Sequence, residues 1–250
     1  MPPAEVPDVR KFNVRLGAFI LSDVKTTMQL SREGGEEGTP IDFERTLGGD
    51  TSLTVFRADA SWAFARKHSL EGSWYDINLS GTRTLEATID WGDESYDIGT
   101  TVESEFNTNI YKIAYGYSFY KRENHEVTAL IGAHVVRFQA SITAPNIQRS
   151  QEFSVTAPLP AFGLGWRAHW SDRWSTRASI QYFGISLDDG KYSGHFTDLL
   201  LAAEYRIWNH GGFGLGYNRF DLVGDFQKER LNLNVRYAYN GALLYYFADF

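Results

Sequence analysis

The chain has 250 residues, no cysteine, 15% aromatic residues and a formal net charge of −7. The missing cysteines exclude a disulfide scaffold and a thiolate metal site, and the acidic balance excludes the basic face of a nucleic-acid binder. No apolar run approaches the roughly 20 residues of a transmembrane helix; the longest, Gly241 to Ala248, is far too short. A membrane barrel stays open, because its strands are only half apolar.

Met1-Pro2-Pro3-Ala4-Glu5 has neither the basic start nor the hydrophobic core of a signal peptide. The expectation is a mature chain behind an added Met, with residues 1–10 as a tail and 11–250 as one barrel. The first strand is expected over 11–31. Its even positions run Phe12, Val14, Leu16, Ala18, Ile20, Ser22, Val24, Thr26, Met28, Leu30. Its odd positions are mostly polar, with Phe19 and Leu21 as exceptions. A helix would group its apolar residues at a period near 3.6. Ordinary soluble strands run about 5–6 residues, so this length suits a tilted wall that continues above a membrane.

The second strand, 51–65, alternates Phe56, Ala58, Ala60, Trp62 and Phe64 with Arg57, Asp59 and Ser61. The third, 69–90, changes parity: Leu70, Gly72 and Trp74 give way to Tyr75, Ile77 and Leu79. That switch reads as a β-bulge. In the fourth, 100–120, Tyr111, Ile113, Tyr115, Tyr117 and Phe119 alternate with Lys112, Ala114, Gly116 and Ser118. The fifth covers 125–143. The sixth, 152–170, switches from Phe153, Val155, Ala157 and Leu159 to Phe162 and Leu164, beside Pro158 and Pro160. A second bulge is expected there, since proline cannot donate to a ladder. Strands seven to nine cover 174–187, 196–208 and 212–223. The tenth, 230–250, alternates Leu231, Leu233, Val235, Tyr237 and Tyr239 with Asn232, Asn234, Arg236 and Ala238.

Each strand has one aliphatic or aromatic face and one face of small and charged residues. A soluble sandwich would bury the rings. A lipid-facing wall around a narrow polar interior explains both faces. The connections alternate as well. Those at 65–68, 121–125, 170–174 and 208–212 are short, while 32–50, 90–99, 145–151, 188–194 and 224–230 are mostly longer and more acidic. An even strand count puts both termini on the short-turn side.

The chain ends Leu244-Tyr245-Tyr246-Phe247-Ala248-Asp249-Phe250. Phe250, with Tyr246 and Leu244 at two-residue steps, resembles the C-terminal signal read by the assembly machinery of outer-membrane barrels. Ala248 departs from it, standing where a larger residue is usual. The chain is also similar to small, porin-like, uncharacterised outer-membrane β-barrel proteins of Gram-negative bacteria, through segments such as Gly214-Leu215-Gly216-Tyr217-Asn218-Arg219-Phe220. This resemblance implies a single closed antiparallel transmembrane β-barrel in the outer membrane, with short periplasmic turns and longer acidic extracellular loops. It implies contact with outer-membrane lipid and lipopolysaccharide, and with the barrel-assembly machinery through the C-terminal strand, where Tyr246 and Phe250 are the signal residues. It implies no cofactor and brings no activity.

By parity, Arg15, Arg57, Asp59, Lys112, Arg167, Arg177, Glu204, Arg206 and Arg236 face the lumen. Tyr111, Tyr115, Tyr117, Trp166, Leu201, Tyr205 and Tyr237 face lipid. Ten strands leave a narrow interior that long side chains can largely close. One reading of the lumen is a structural ion-pair ladder, since buried charges need partners. The other is a narrow path for small anions, drawn from the excess of cations in that set.

Glu33, Glu36, Glu37, Asp42, Glu44 and Asp50, and Asp90, Asp93, Glu94, Asp97, Glu103 and Glu105, make the loops and nearby rim acidic. Such carboxylates are candidates for divalent cations. Their spacing matches no defined calcium loop, so a solvated charged rim is expected and no metal ligand is assigned. Of the histidines, His195 alone falls at the outer rim, near Asp188, Asp189 and Asp198. Barrel proteases use His and Asp at that rim, and lipid A hydrolases use His with Ser or Glu on the wall. Neither motif is present, and no catalytic residue is assigned. The expected role is structural or surface interaction. The alternatives are a narrow channel and an outer-membrane hydrolase acting on lipid A or peptides.

Overall fold

The computed structural model describes residues 12–32, 34, 37–49, 51–187, 192–228 and 231–250. The expected tail 1–10 lies outside the described residues, as do Glu33, Glu36, Asp50, Asp188 and Asp189. Ten long strands form the wall: β1 (Phe12–Arg32), β3 (Leu53–Ala65), β4 (His68–Thr84), β7 (Thr101–Lys121), β8 (His125–Ala144), β9 (Arg149–His169), β10 (Trp174–Leu187), β11 (Tyr192–Trp208), β12 (Gly211–Lys228) and β13 (Leu231–Asp249). Short pieces complete the sequence of elements: β2 (Ile41–Asp42), α1 (Phe43–Leu47), β5 (Ile89–Trp91) and β6 (Glu94–Tyr96). Each long strand pairs antiparallel with the next in the chain, and β13 returns to β1, from Asn13 opposite Asp249 to Arg32 opposite Leu231. The sheet is therefore a closed ten-strand barrel. In lipid such closure is required, because unpaired backbone groups cannot be hydrated there.

The wall has two storeys of opposite polarity. Near the short turns, rings and aliphatic groups stand exposed on the outside: Phe12, Leu16 and Ile20 on β1, Tyr111 to Phe119 at alternate positions on β7, and Leu244 and Tyr246 on β13. The stretch 111–119 matches the roughly 9–11 residues of a tilted transmembrane strand. Beyond it the outer face of β7 turns polar, with Glu103, Glu105, Asn107 and Asn109, while Val102, Phe106 and Ile110 are buried inside. The lower storey is apolar outside and keeps charges within. The upper storey is an inside-out version of it, apolar within and wet outside.

This inversion corrects both expected bulges. The β4 register runs unbroken from His68 opposite Tyr117 to Thr84 opposite Thr101. The β9 register against β8 is equally continuous. In both strands the apolar residues change face because the surroundings change, and no residue is inserted. Three bulges sit beside the short turns, at Ala63/Ala65, Ser118/Tyr120 and Arg206/Trp208, and one lies at mid-wall in β1, where pairing with β13 slips between Leu21 and Asp23. The even positions of β1 are exposed below it and buried above it (Val24, Thr26, Met28, Leu30), so its sequence parity never breaks.

Pro158 and Pro160 have a different explanation. Above Phe162, β9 pairs only with β8, so its other edge has no ladder to break. A similar gap opens above β3, which reaches only Leu53. There β2 pairs with Thr27 and Met28 of β1, and α1 follows, burying Ile41, Phe43 and Leu47. Asp42 caps α1 by accepting from the Arg45 N–H at 2.9 Å, and Gly48 ends it at φ +73°. The third strand stops at Thr84 rather than at residue 90, and the hairpin β5–β6 then folds over the mouth, burying Trp91 and Tyr96. The loop expected at 145–151 is a short 3-10 turn, Pro145–Ile147, with strand resuming at Arg149, and the described part of the loop expected at 224–230 is strand as far as Lys228, because the polar upper wall accepts polar residues without leaving the ladder.

A closed wall of this kind resists SDS until heated. Folded protein should run at a different apparent size before and after boiling. Identical mobility in both lanes would contradict a closed barrel.

Candidate functional site

The lower lumen holds the charged groups, each delivered by the inward parity of its strand. Arg15 on β1 donates from Nε to Glu204 of β11 at 2.7 Å. Arg177 on β10 reaches the same carboxylate at 3.4 Å, and the Tyr245 hydroxyl donates to it at 3.0 Å. Arg167 lies 3.8 Å from Glu126, and Arg206 pairs with Asp249.

A second layer lies above. Arg57 pairs with Asp59 at 2.9 Å, and Ser73 donates to the same carboxylate. Arg57 also donates to the Asn218 side chain at 2.7 Å, and Asn218 donates to Asp198 at 2.7 Å. Lys112 closes the network on Asp198 at 2.5 Å. Its strand, β7, stands four places from β11 around the wall, so the bridge crosses the lumen. His134 meets Gln181 at 3.0 Å and packs against the mutually stacked rings of Phe196 and Phe220. The Arg57 guanidinium lies 4.8 Å from the centre of the Tyr75 ring, where the ring face attracts a cation.

Above this layer the lumen is aromatic. Phe19, Tyr75, Phe106, Phe138, Tyr237 and Tyr239 are all buried. Tyr237 packs edge-on against Phe106 at 5.6 Å and Phe138 at 5.8 Å. Phe43 of α1 joins at 6.0 Å from Phe106.

Eight of the nine residues assigned to the lumen by sequence lie on its inner face: Arg15, Arg57, Asp59, Lys112, Arg167, Arg177, Glu204 and Arg206. Arg236 does not. It is exposed on the outer face of β13, and its neighbour Tyr237, expected to face lipid, is 1% exposed inside. Both corrections follow from the inverted upper storey. Tyr111, Tyr115, Tyr117, Trp166 and Leu201 stand exposed on the outer wall. Tyr205 is half-buried there, its ring 4.8 Å from that of Trp174. Tyr246 is exposed on the outside of β13, and Phe250 is 70% exposed while its backbone pairs with Phe12.

Sequence reasoning missed Asp198, Glu126, Asp249 and Glu71, all on inward positions. Their strand parity was the available signal. Counting them nearly cancels the cation excess: Asp59, Glu71, Glu126, Asp198, Glu204 and Asp249 face Arg15, Arg57, Lys112, Arg167, Arg177 and Arg206, with Lys121 held on Glu126 at 3.0 Å beside the turn. Asp198 is also lost as a partner for His195, which is exposed on the outer wall.

No family model and no curated protein matches the chain. Solved structures do match in fold. The outer membrane protease OmpT from Escherichia coli superposes with a TM-score of 0.55 at 10% identity, over 95% of this chain and 97% of that one. The outer membrane protein OprG from Pseudomonas aeruginosa gives 0.42 at 10% identity, over 96% and 95%. The Pseudomonas putida toluene transporter TodX gives 0.35 at 11% identity, over 98% and 91%. At these identities the likeness concerns architecture alone. With its exposed apolar lower wall and even number of antiparallel strands, the chain is a closed β-barrel that shares its fold with that outer-membrane protease.

Proposed function

We propose that this protein is an integral outer-membrane barrel with a closed, charge-balanced lumen, acting as a structural or surface-interaction element and not as a pore. The observation that carries this reading is the stack of lumen-crossing ion pairs beneath a buried aromatic layer. A conducting path would need water along the whole lumen, and the aromatic layer fills it with buried rings whose few hydroxyls are themselves buried. The balance of lumen charge also removes the motive for anion selectivity.

Several contacts follow from this reading. Outer-membrane lipid and lipopolysaccharide surround the lower wall. The β13 strand, with Tyr246 and Phe250 outward, is the one offered to the assembly machinery. The acidic mouth, including Asp90, Asp93 and Asp97, is where divalent cations would gather. Catalysis is not part of the reading, since His195 and Asp198 point to opposite sides of the wall.

Planar-bilayer recording is the direct test. Purified barrel should give no discrete conductance steps, and the Arg57→Ala, Arg206→Ala double variant should be less stable without becoming conductive. Reproducible wild-type channels with anion preference would restore the channel reading.

A further inference from the structure

The upper storey contains a small polar pocket within its apolar core. The side-chain oxygens Thr26 Oγ1, Thr108 Oγ1, Tyr237 Oη and Glu44 Oε1 are all buried and have no hydrogen-bond partner. Thr26 and Thr108 are 0% exposed and Tyr237 is 1% exposed. They come from four different elements. Thr26 and Tyr237 are directly opposite each other on β1 and β13. The Tyr237 hydroxyl lies beside that of Thr108 on β7 without closing a hydrogen bond, and feels the Glu44 carboxyl of α1. Orphaned buried oxygens are costly and rare, and here three hydroxyls and one carboxyl oxygen collect in one part of the upper core.

The segment that brings Glu44 is also the least integrated part of the wall. It fills the gap above β3 through two ladder positions on β1 and the side chains of Ile41, Phe43 and Leu47. Whatever holds Glu44 inward therefore decides whether the gap is filled.

We propose that Glu44, Thr26, Thr108 and Tyr237 form a proton-operated latch. The latch holds the 41–47 segment in the wall while Glu44 carries a proton and loosens it when Glu44 ionises. A protonated carboxyl supplies the O–H donor that the hydroxyl cluster can accept. An ionised one places a charge beside Tyr237 and Asp42, met by the backbone N–H groups of Thr26 and Glu44 but by no cation. The charged groups around it do not help. Asp42, on β2, repels it. Arg45 is 89% exposed in its side chain and turns to Asp42 at 3.8 Å. Arg83 of β4 is held by Glu86 at 2.8 Å and by the Arg45 carbonyl. Lys25 of β1 is on the outer face with Asp23. From β7 and β13 the facing groups are Thr108 and Tyr237.

The sign follows from the carboxyl. Burial, with Asp42 adding to it, pushes Glu44 up from 4.5 to about 7. The latched state thus binds the extra proton. Its advantage is complete below the ordinary carboxylate range and is lost as pH rises through about 7.

Hydrogen exchange of the folded protein in detergent, read on peptides covering 39–49 and corrected for the intrinsic pH effect, tests this. Protection of that segment should fall by about tenfold or more between pH 5 and pH 8, since each pKa unit is worth a factor of ten. Peptides of β7 and β8 should hold theirs. Glu44→Gln should abolish the pH dependence while keeping the heat-dependent gel shift of a closed barrel. Tyr237→Phe should lower protection already at pH 5. Equal wild-type protection at both pH values, or an unchanged pH response in Glu44→Gln, overturns the latch.

Discussion

Asp198→Ala should cost about 3–5 kcal/mol of stability, the range found when one partner of a buried pair is removed. The side chains of Lys112 and Asp198 are 8% and 7% exposed, so water does little to screen them. The substitution strands Lys112 across the lumen and removes an acceptor of the Asn218 amide, whose own oxygen accepts from Arg57. Urea unfolding in micelles, followed by tryptophan emission, measures the loss. A companion variant, Lys112→Met with Asp198→Leu, should recover much of it, because well-packed apolar pairs often replace buried ion pairs at little cost. A loss below about 1 kcal/mol for the single change would mean that the lumen is wet enough to solvate a free ammonium.

Leu201→Arg should be the most damaging change on the outer wall. Leu201 stands 47% exposed among the outward residues of β11, between Leu199 and Ala203. A cation there faces hydrocarbon, at about 2–4 kcal/mol near mid-membrane. Arg236→Leu is the matched control. It removes a charge from the outer face of the upper storey, which is in water, and should stay within about 0.5 kcal/mol. Equal effects of the two substitutions would show that the wall has no boundary between them.

The lower storey was legible because lipid demands an unusual code, with rings outside and charge inside. Tyr111, Trp166 and Leu201 could be placed from it. The upper storey obeys the ordinary globular code, and nothing in a single strand says where one gives way to the other. Tyr237 looks like Tyr245 or Tyr246 until its height is known. The parity breaks in β4 and β9 mark that boundary, and in sequence they look the same as inserted residues. In β1 an inserted residue coincided with the boundary and left the alternation unbroken. The carboxylates of the lumen were readable by the same parity that gave the arginines. The patch made by β2 and α1 was not, since two ladder positions and a five-residue helix leave no periodic signal.

The seam between β1 and β13 sets the order in which the molecule can be made. Asn13 and Asp249 lie 236 positions apart, yet their side chains touch and their backbones pair. Every other wall pairing joins strands that are neighbours in the chain and can form while synthesis or export is still under way. The seam cannot. Its closure entropy is modest, since each doubling of a loop adds only about 0.6 kcal/mol. The hazard is the waiting time. Until β13 arrives, β1 and β12 are open edges in search of a partner, and a neighbouring copy would serve as well as the chain itself. A factor that occupied β1 in the interim and yielded it to β13 would leave the finished barrel unchanged and would decide how many chains reached it.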